Sequence, residues 1–226
     1  MITAIAFDGN GVLYYRKKDF TYALMEYIKA RHMPGFDVEA GAASQLRFMY
    51  QSFEGRIDKA EAMRLFLDTA GITNPEVRTD ILAKEIEYSK AISLFPTEKE
   101  TLLELSRRGF VLGMITNSYQ SAAEKASWFH ELGLDCIADR IVSSIDAGFS
   151  KPDKGIYIEF ARRAGMKMEN IAFVGHEAHE LLGARAAGML PVSFNCGPEI
   201  REKLHLEIFS DLLDLFPGPE STAFRP

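Results

Sequence analysis

The stretch "MITAIAFDGNGVLYY" (residues 1–15) decides how the rest of the chain is read. "TAIAF" at 3–7 is short, apolar and soon followed by glycine, which predicts a buried strand. Polarity then breaks at Asp8, which is followed by Gly9, Asn10 and Gly11. A carboxylate at this point sits at the rim of a core, and the glycines permit a tight turn and close backbone approach by a ligand. Taken alone, Asp8 has an ordinary reading as an Asx-type turn or a helix cap.

The residues beyond this strand change character twice. "FTYALMEYIKARHM", "DVEAGAASQLRFMYQSF", "DKAEAMRLFLDTAG" and "EVRTDILAKEIEYSKAI" carry apolar residues at three- and four-residue spacing. Pro34-Gly35, Gly55, Gly71 and Asn74-Pro75 punctuate them, so about four helices are expected here and no strand. After Pro96 the pattern alternates. Helices are expected at "TEKETLLELSRRG", "SAAEKASWFHELGL", "KGIYIEFARRAG", "EAHELLGARAAG" and "EIFSDLLDLF", and strands at "FVLGMIT", "RIVSS", "NIAFVG" and "LPVSFN". "FPGPESTAFRP" at the end reads as a loose tail.

Strands alternating with helices predict an α/β fold with a parallel sheet covered on both faces. The strand before Asp8 belongs to that sheet. The expected organisation is therefore an α/β core from 1–15 and 95–226 with an all-helical module at 16–94. Ligands of open parallel sheets lie beyond the carboxyl ends of the strands. That rule gathers Asp8 and Asn10, then Thr116-Asn117-Ser118, then Lys151, then His176-Glu177 on one edge. The helical insertion leaves from the same edge and can cover it.

Composition limits the function. The chain has 226 residues, is 47% hydrophobic and 26% charged, and carries a net charge of −6. These are values for a globular protein with a sizeable core, and they give no reason to expect nucleic acid. "YRKK" at 15–18 is too short for a basic tail. Cys136 and Cys196 form no disulfide framework and lack metal-ligand spacing, so reduced thiols are expected. No stretch approaches the roughly 20 apolar residues of a membrane span. Asp8 interrupts the N-terminal apolar run too early for a signal peptide. A cytoplasmic protein without a membrane partner is expected.

Thr116 alone reads as a helix cap and Lys151 alone as a loop residue. Together, a carboxylate, a hydroxyl, a cation and an acidic cluster on one edge suit phosphoryl transfer to a carboxylate nucleophile. At this point the chain resembles the haloacid dehalogenase-like superfamily, in a form with a helical cap between the first and second motifs. The four motifs resemble "FDGNGVLY" (7–14), "ITNS" (115–118), "FSKPD" (149–153) and "FVGHEAHELLGARAAGM" (173–189). The order and spacing of all four carry the resemblance.

The resemblance implies a Rossmann-like parallel sheet core and a phosphatase acting on a small phosphorylated metabolite. It makes Asp8 the nucleophile. Thr116 and the amide of Asn117 would hold phosphoryl oxygens, and Lys151 would neutralise charge. Mg²⁺, or Mn²⁺, would be held by Asp8, the backbone carbonyl of Asn10 and a motif-four acid.

Two positions depart from the phosphatase pattern. Asn10 stands where a second Asp acts as general acid and base, which an amide cannot do. His176 stands where an Asp usually binds the metal; imidazole is a poor Mg²⁺ ligand and a good one for softer metals. Glu177 and Glu180 can supply the missing oxygen, and His179 reads as a surface histidine. In the helical module Arg16, Arg47 and Arg56 are candidate substrate contacts, with a solvated helix face as their ordinary reading. Tyr14 and Tyr15 are expected at the hinge, and Trp128 inside.

Two other functions compete. One is a non-catalytic or weakened binding protein, motivated by Asn10 and His176. The other is carbon–halogen or carbon–phosphorus cleavage, which needs no second Asp. The acidic cluster disfavours the metal-free dehalogenases, and neither Lys17 nor Lys59 is marked as the Schiff-base lysine of a phosphonate hydrolase.

Overall fold

The computed structural model describes residues 1–218; positions 219–226 of the expected tail lie outside the described residues. The chain forms two compact units, one from Met1–Tyr15 together with the chain from Leu94 onward, the other from Arg16–Ser93.

In the α/β unit, β1 (Ala4–Phe7) precedes the insertion. The helical unit contains α1 (Phe20–Arg31), α2 (Val38–Phe53), α3 (Lys59–Thr69) and α4 (Pro75–Lys90). The sequence writes each helix start. The side chains of Asp19, Asp37, Asp58 and Asn74 accept from first-turn N–H groups, and Pro75 opens α4 where no N–H is needed. Each such cap is worth about 1 kcal/mol. The apolar stripes of all four helices meet in one core that includes Leu24, Ile28, Phe48, Phe66 and Ile81.

Beyond Leu94 the α/β unit continues with α5 (Glu98–Arg107), β2 (Val111–Thr116), α6 (Ala122–Glu131) and α7 (Asp135–Ala138). Next come β3 (Ile141–Ser143), α8 (Ser144–Ala147), α9 (Lys154–Ala164), β4 (Ile171–Gly175) and α10 (Ala178–Ala187). β5 (Leu190–Phe194), β6 (His205–Leu206) and α11 (Leu212–Leu215) complete it. The described strands form one parallel sheet in the order β3-β2-β1-β4-β5-β6. β1 lies inside it, with Ala4 in register with both Val111 and Ile171. All four residues of β1 are fully buried, as expected for a strand with both faces covered. Burial of Ile5 and Phe7 contributes about 1.5–3 kcal/mol each.

The structure corrects the last stretch. "EIFSDLLDLF" is not one closing helix but a 3₁₀ turn at Phe209–Asp211 followed by the short α11. The Asp211 carboxylate accepts from the N–H groups of Glu207 and Ile208, which holds the entry to the turn. β6, two residues long, is too short to leave a periodic signal. Trp128 is buried, as expected, and packs edge-on to Tyr14. Tyr14 also accepts a 2.8 Å hydrogen bond from the buried Lys125, and Tyr15 packs on Phe95; all of these belong to the α/β unit. No helix among the described residues is long and apolar enough to cross a membrane.

Candidate active site

The carboxyl ends of β1, β2 and β4, with the loop before α9, bring the candidate residues together. The Asp8 N–H donates to Val174 O at 2.9 Å, extending the ladder one residue past β1. This fixes the Asp8 carboxylate at the rim of the sheet, nearly buried at 5% exposure. The next residues fold back on themselves, with Leu13 N–H donating to Gly9 O and Gly11 N–H to Tyr14 O. Glycine is needed at both Gly9 and Gly11. A Cβ on Gly9 would lie 2.9 Å from Thr116 Oγ1, and Gly11 has φ +90° with the His176 ring against it.

Lys151 is the centre of charge. Its ammonium pairs with Asp8 Oδ1 and lies 2.6 Å from Glu180 Oε1. Glu180 projects from the first turn of α10, and the Tyr157 hydroxyl donates to its backbone carbonyl at 2.8 Å. Lys151 is itself held through its backbone. Its N–H donates to Asn117 Oδ1 at 2.7 Å, and Asn117 Nδ2 donates to its carbonyl at 3.0 Å. The Asn117 side chain is thereby committed to the lysine loop.

His176 Nδ1 lies 3.1 Å from Asp8 Oδ2. This is ion-pair distance, without an aligned hydrogen bond at Nδ1. Glu180 Oε2 is also buried without a partner. Asp8, His176 and Glu180 offer donor atoms within 4.8 Å of one another. Glu177, His179 and Glu180 form a second such group, but Glu177 and His179 are exposed.

These contacts set the charges. Burial pushes the Asp8 carboxyl up, but the Lys151 ammonium and the His176 contact outweigh it and hold Asp8 at about 2. Burial dominates at Glu180, which is pushed up to about 7 against the pull of Lys151. Lys151 and His176 are both raised: burial opposes their charged forms, but the neighbouring carboxylates prevail. Asp8 is thus an ionised carboxylate at neutral pH in a nearly dry setting.

Of the residues singled out from the sequence, Asp8, Thr116, Lys151 and Glu180 are buried at this edge, with His176 beside Asp8. Asn10 and Glu177 lie on its exposed side. Three others belong to the helical unit. Arg16 donates to Ser89 O at 2.7 Å, Arg47 lies over the Phe48 ring, and Arg56 pairs with Glu54 at 3.0 Å. Two supporting contacts carried no sequence signal. They are the Asn117 clamp and Asn195, whose Nδ2 donates to Gly11 O at 2.9 Å. Short polar residues just after strands were the one available hint, and they are common in loops.

A family model described as haloacid dehalogenase-like hydrolase matches residues 2–188. The chain belongs to the haloacid dehalogenase-like hydrolases. Among relatives of this family, a glyceraldehyde 3-phosphate phosphatase of Methanopyrus kandleri is 28% identical over 203 residues, covering 87% of this chain and 85% of that protein. A protein of the same name from Methanothermobacter thermautotrophicus is 34% identical over 114 residues, which is half of each chain. The fold matches a 2-haloacid dehalogenase of Pseudomonas syringae with a TM-score of 0.74 at 23% identity, covering 95% of this chain and 98% of that one. Haloacid dehalogenase-like relatives thus include both phosphatases and dehalogenases.

Proposed function

We propose that the chain hydrolyses a small phosphomonoester through an aspartyl-phosphate on Asp8. The observation that carries this reading is the buried Asp8 carboxylate, kept ionised by Lys151 at the end of an internal strand. A nucleophilic carboxylate must be charged and fixed in position, and both conditions are met.

In the first step an Asp8 oxygen attacks phosphorus, the P–O bond to the substrate breaks and the leaving oxygen departs with the bonding electron pair, taking its proton from water. Thr116 Oγ1 and the Asn117 N–H donate to the phosphoryl oxygens. Lys151 balances the charge that gathers between nucleophile and phosphate. In the second step water attacks the aspartyl-phosphate, releasing inorganic phosphate and restoring Asp8. Asn10 cannot move a proton in either step, so neither step has the usual carboxylic acid–base help.

The donor set fits a divalent cation. Asp8, Glu180 and His176 would hold it together with the Asn10 carbonyl, and the unpartnered Glu180 Oε2 and His176 Nδ1 are available for that purpose. When bound, such a cation supplies further positive charge against the phosphoryl group.

The test is release of phosphate from a panel of small phosphomonoesters, with Mg²⁺ and with Mn²⁺, by the wild type and Asp8→Asn. Turnover that disappears in Asp8→Asn supports the reading; turnover that survives removes Asp8 as nucleophile. Asn10 favours a second reading, carbon–halogen hydrolysis, because a halide leaves without a proton. Halide release from 2-haloacids, assayed in the same panel, decides between the two.

A further inference from the structure

The metal preference of this site follows from His176 and rests on the reading of Asp8, His176 and Glu180 as a divalent-ion site. Four observations converge. Glu180 is 5% exposed; its Oε1 is taken by Lys151, while Oε2 has no hydrogen-bond partner. His176 Nδ1 is likewise buried without an aligned partner, 3.1 Å from Asp8 Oδ2. Neighbouring ligands of a six-coordinate ion at about 2.1 Å are separated by about 3 Å, so this spacing suits two donors on one ion. The ring is also held in place. A Cβ on Gly11 would lie 2.9 Å from His176 Nε2, so the imidazole packs directly on the Gly11 backbone, whose carbonyl Asn195 anchors.

The fourth observation concerns the other ring nitrogen. Nε2 faces Glu177 Oε1 at 3.8 Å. In the metal-free protein the closer carboxylate, Asp8 Oδ2 at 3.1 Å, favours a proton on Nδ1. A cation held by Asp8 and Glu180 would displace that proton and take the Nδ1 lone pair, with the Nε2 proton then facing Glu177. A metal-binding histidine is commonly held in this way by an outer carboxylate.

Mg²⁺ selects oxygen and gains little from imidazole, whereas first-row transition ions bind imidazole well. We propose that His176 Nδ1 is a direct metal ligand and that it shifts this site from Mg²⁺ toward a first-row divalent transition ion. Glu177 is the positioning residue that orients the ring.

The experiment uses the full chain, stripped with chelator, and Mn²⁺ and Mg²⁺ as probes without substrate. Mn²⁺ binding is followed by electron paramagnetic resonance and Mg²⁺ by competition. Pulsed measurement then reports whether a nitrogen is bound to Mn²⁺. The expected result is one Mn²⁺ per chain with directly bound nitrogen. In His176→Asp the nitrogen signal should be lost and the Mn²⁺-over-Mg²⁺ preference should fall by about tenfold or more. His176→Gln serves as a second variant, and unfolding curves check that both are folded.

Bound Mn²⁺ without the nitrogen signal, an unchanged preference in both variants, or no Mn²⁺ binding overturns the proposal. Nitrogen-bound Mn²⁺ in a protein that hydrolyses no phosphomonoester would sink the phosphatase reading and leave this one standing. Asp8-dependent hydrolysis that persists in chelator, with no Mn²⁺ bound, would do the reverse.

Discussion

Lys151 Nζ lies 2.6 Å from Glu180 Oε1 while it also pairs with Asp8, and its side chain has no exposure to solvent. One ammonium therefore balances two carboxylates in a place where water cannot.

Removing that ammonium leaves two buried acids facing each other. Lys151→Met is expected to lower stability at pH 7 by about 3–5 kcal/mol, the range for breaking a buried ion pair from one side. Urea unfolding at pH 7 and pH 5 checks this. The loss should shrink at pH 5, where a lone carboxylate pair takes up a proton more readily.

Asn10→Asp restores a group that can give and take a proton. In the wild type the second half-reaction is expected to be slow, so an aryl phosphate should give a burst of phenol followed by slower turnover. General acid–base help is typically worth about 10² to 10⁴-fold, and Asn10→Asp should recover part of it in the steady-state rate. Rapid-quench kinetics on both proteins, with Mg²⁺ and with Mn²⁺, is the measurement. A wild type that turns over rapidly without a burst would mean that another group supplies the proton.

Asn117→Ala removes both hydrogen bonds that hold the Lys151 peptide. At about 0.5–1.5 kcal/mol each, the expected destabilisation is about 1–3 kcal/mol. The rate should suffer more than the fold, by up to about 10²-fold, because Lys151 loses its register against Asp8. Comparison of kcat with the unfolding midpoint separates the two effects.

Glu98 makes a pH prediction away from the site. It is fully buried, one oxygen accepts from Phe95 N–H, the other has no partner, and burial pushes its carboxyl up to about 8. The folded state therefore favours the protonated acid. Its contribution to stability is complete below about pH 4.5 and is lost as pH rises toward 8, at about 1.4 kcal/mol per pH unit. Glu98→Gln should remove this slope and unfold at higher denaturant than the wild type at pH 8. Identical pH profiles for the two proteins would contradict this.

The sheet and the helical insertion were legible because their signals are periodic and local. Buried strands such as "NIAFVG" are continuous apolar runs, and Asp19, Asp37, Asp58 and Asn74 mark the helix starts. Asp8 and Lys151 were legible as positions beside elements and through the motifs they sit in, but their pairing was not, because what unites them is the sheet order. The Asn117 clamp joins residues on separate loops, and asparagine in a loop is too ordinary to announce it. The end of the chain misled because "EIFSDLLDLF" has helical spacing, yet Asp211 uses its carboxylate to close a tighter turn.

The insertion between β1 and β2 also dictates an order of assembly. On a ribosome β1 emerges before its partners Val111 and Ile171, which are made only after the whole helical unit. The contacts within Arg16–Ser93 are local and close early, whereas those of β1 span most of the chain and close late. Until then Ile5 and Phe7 form an apolar segment with an open backbone edge. A nascent chain stalled before β4 should therefore be the species that chaperones hold and that aggregates when they are withdrawn.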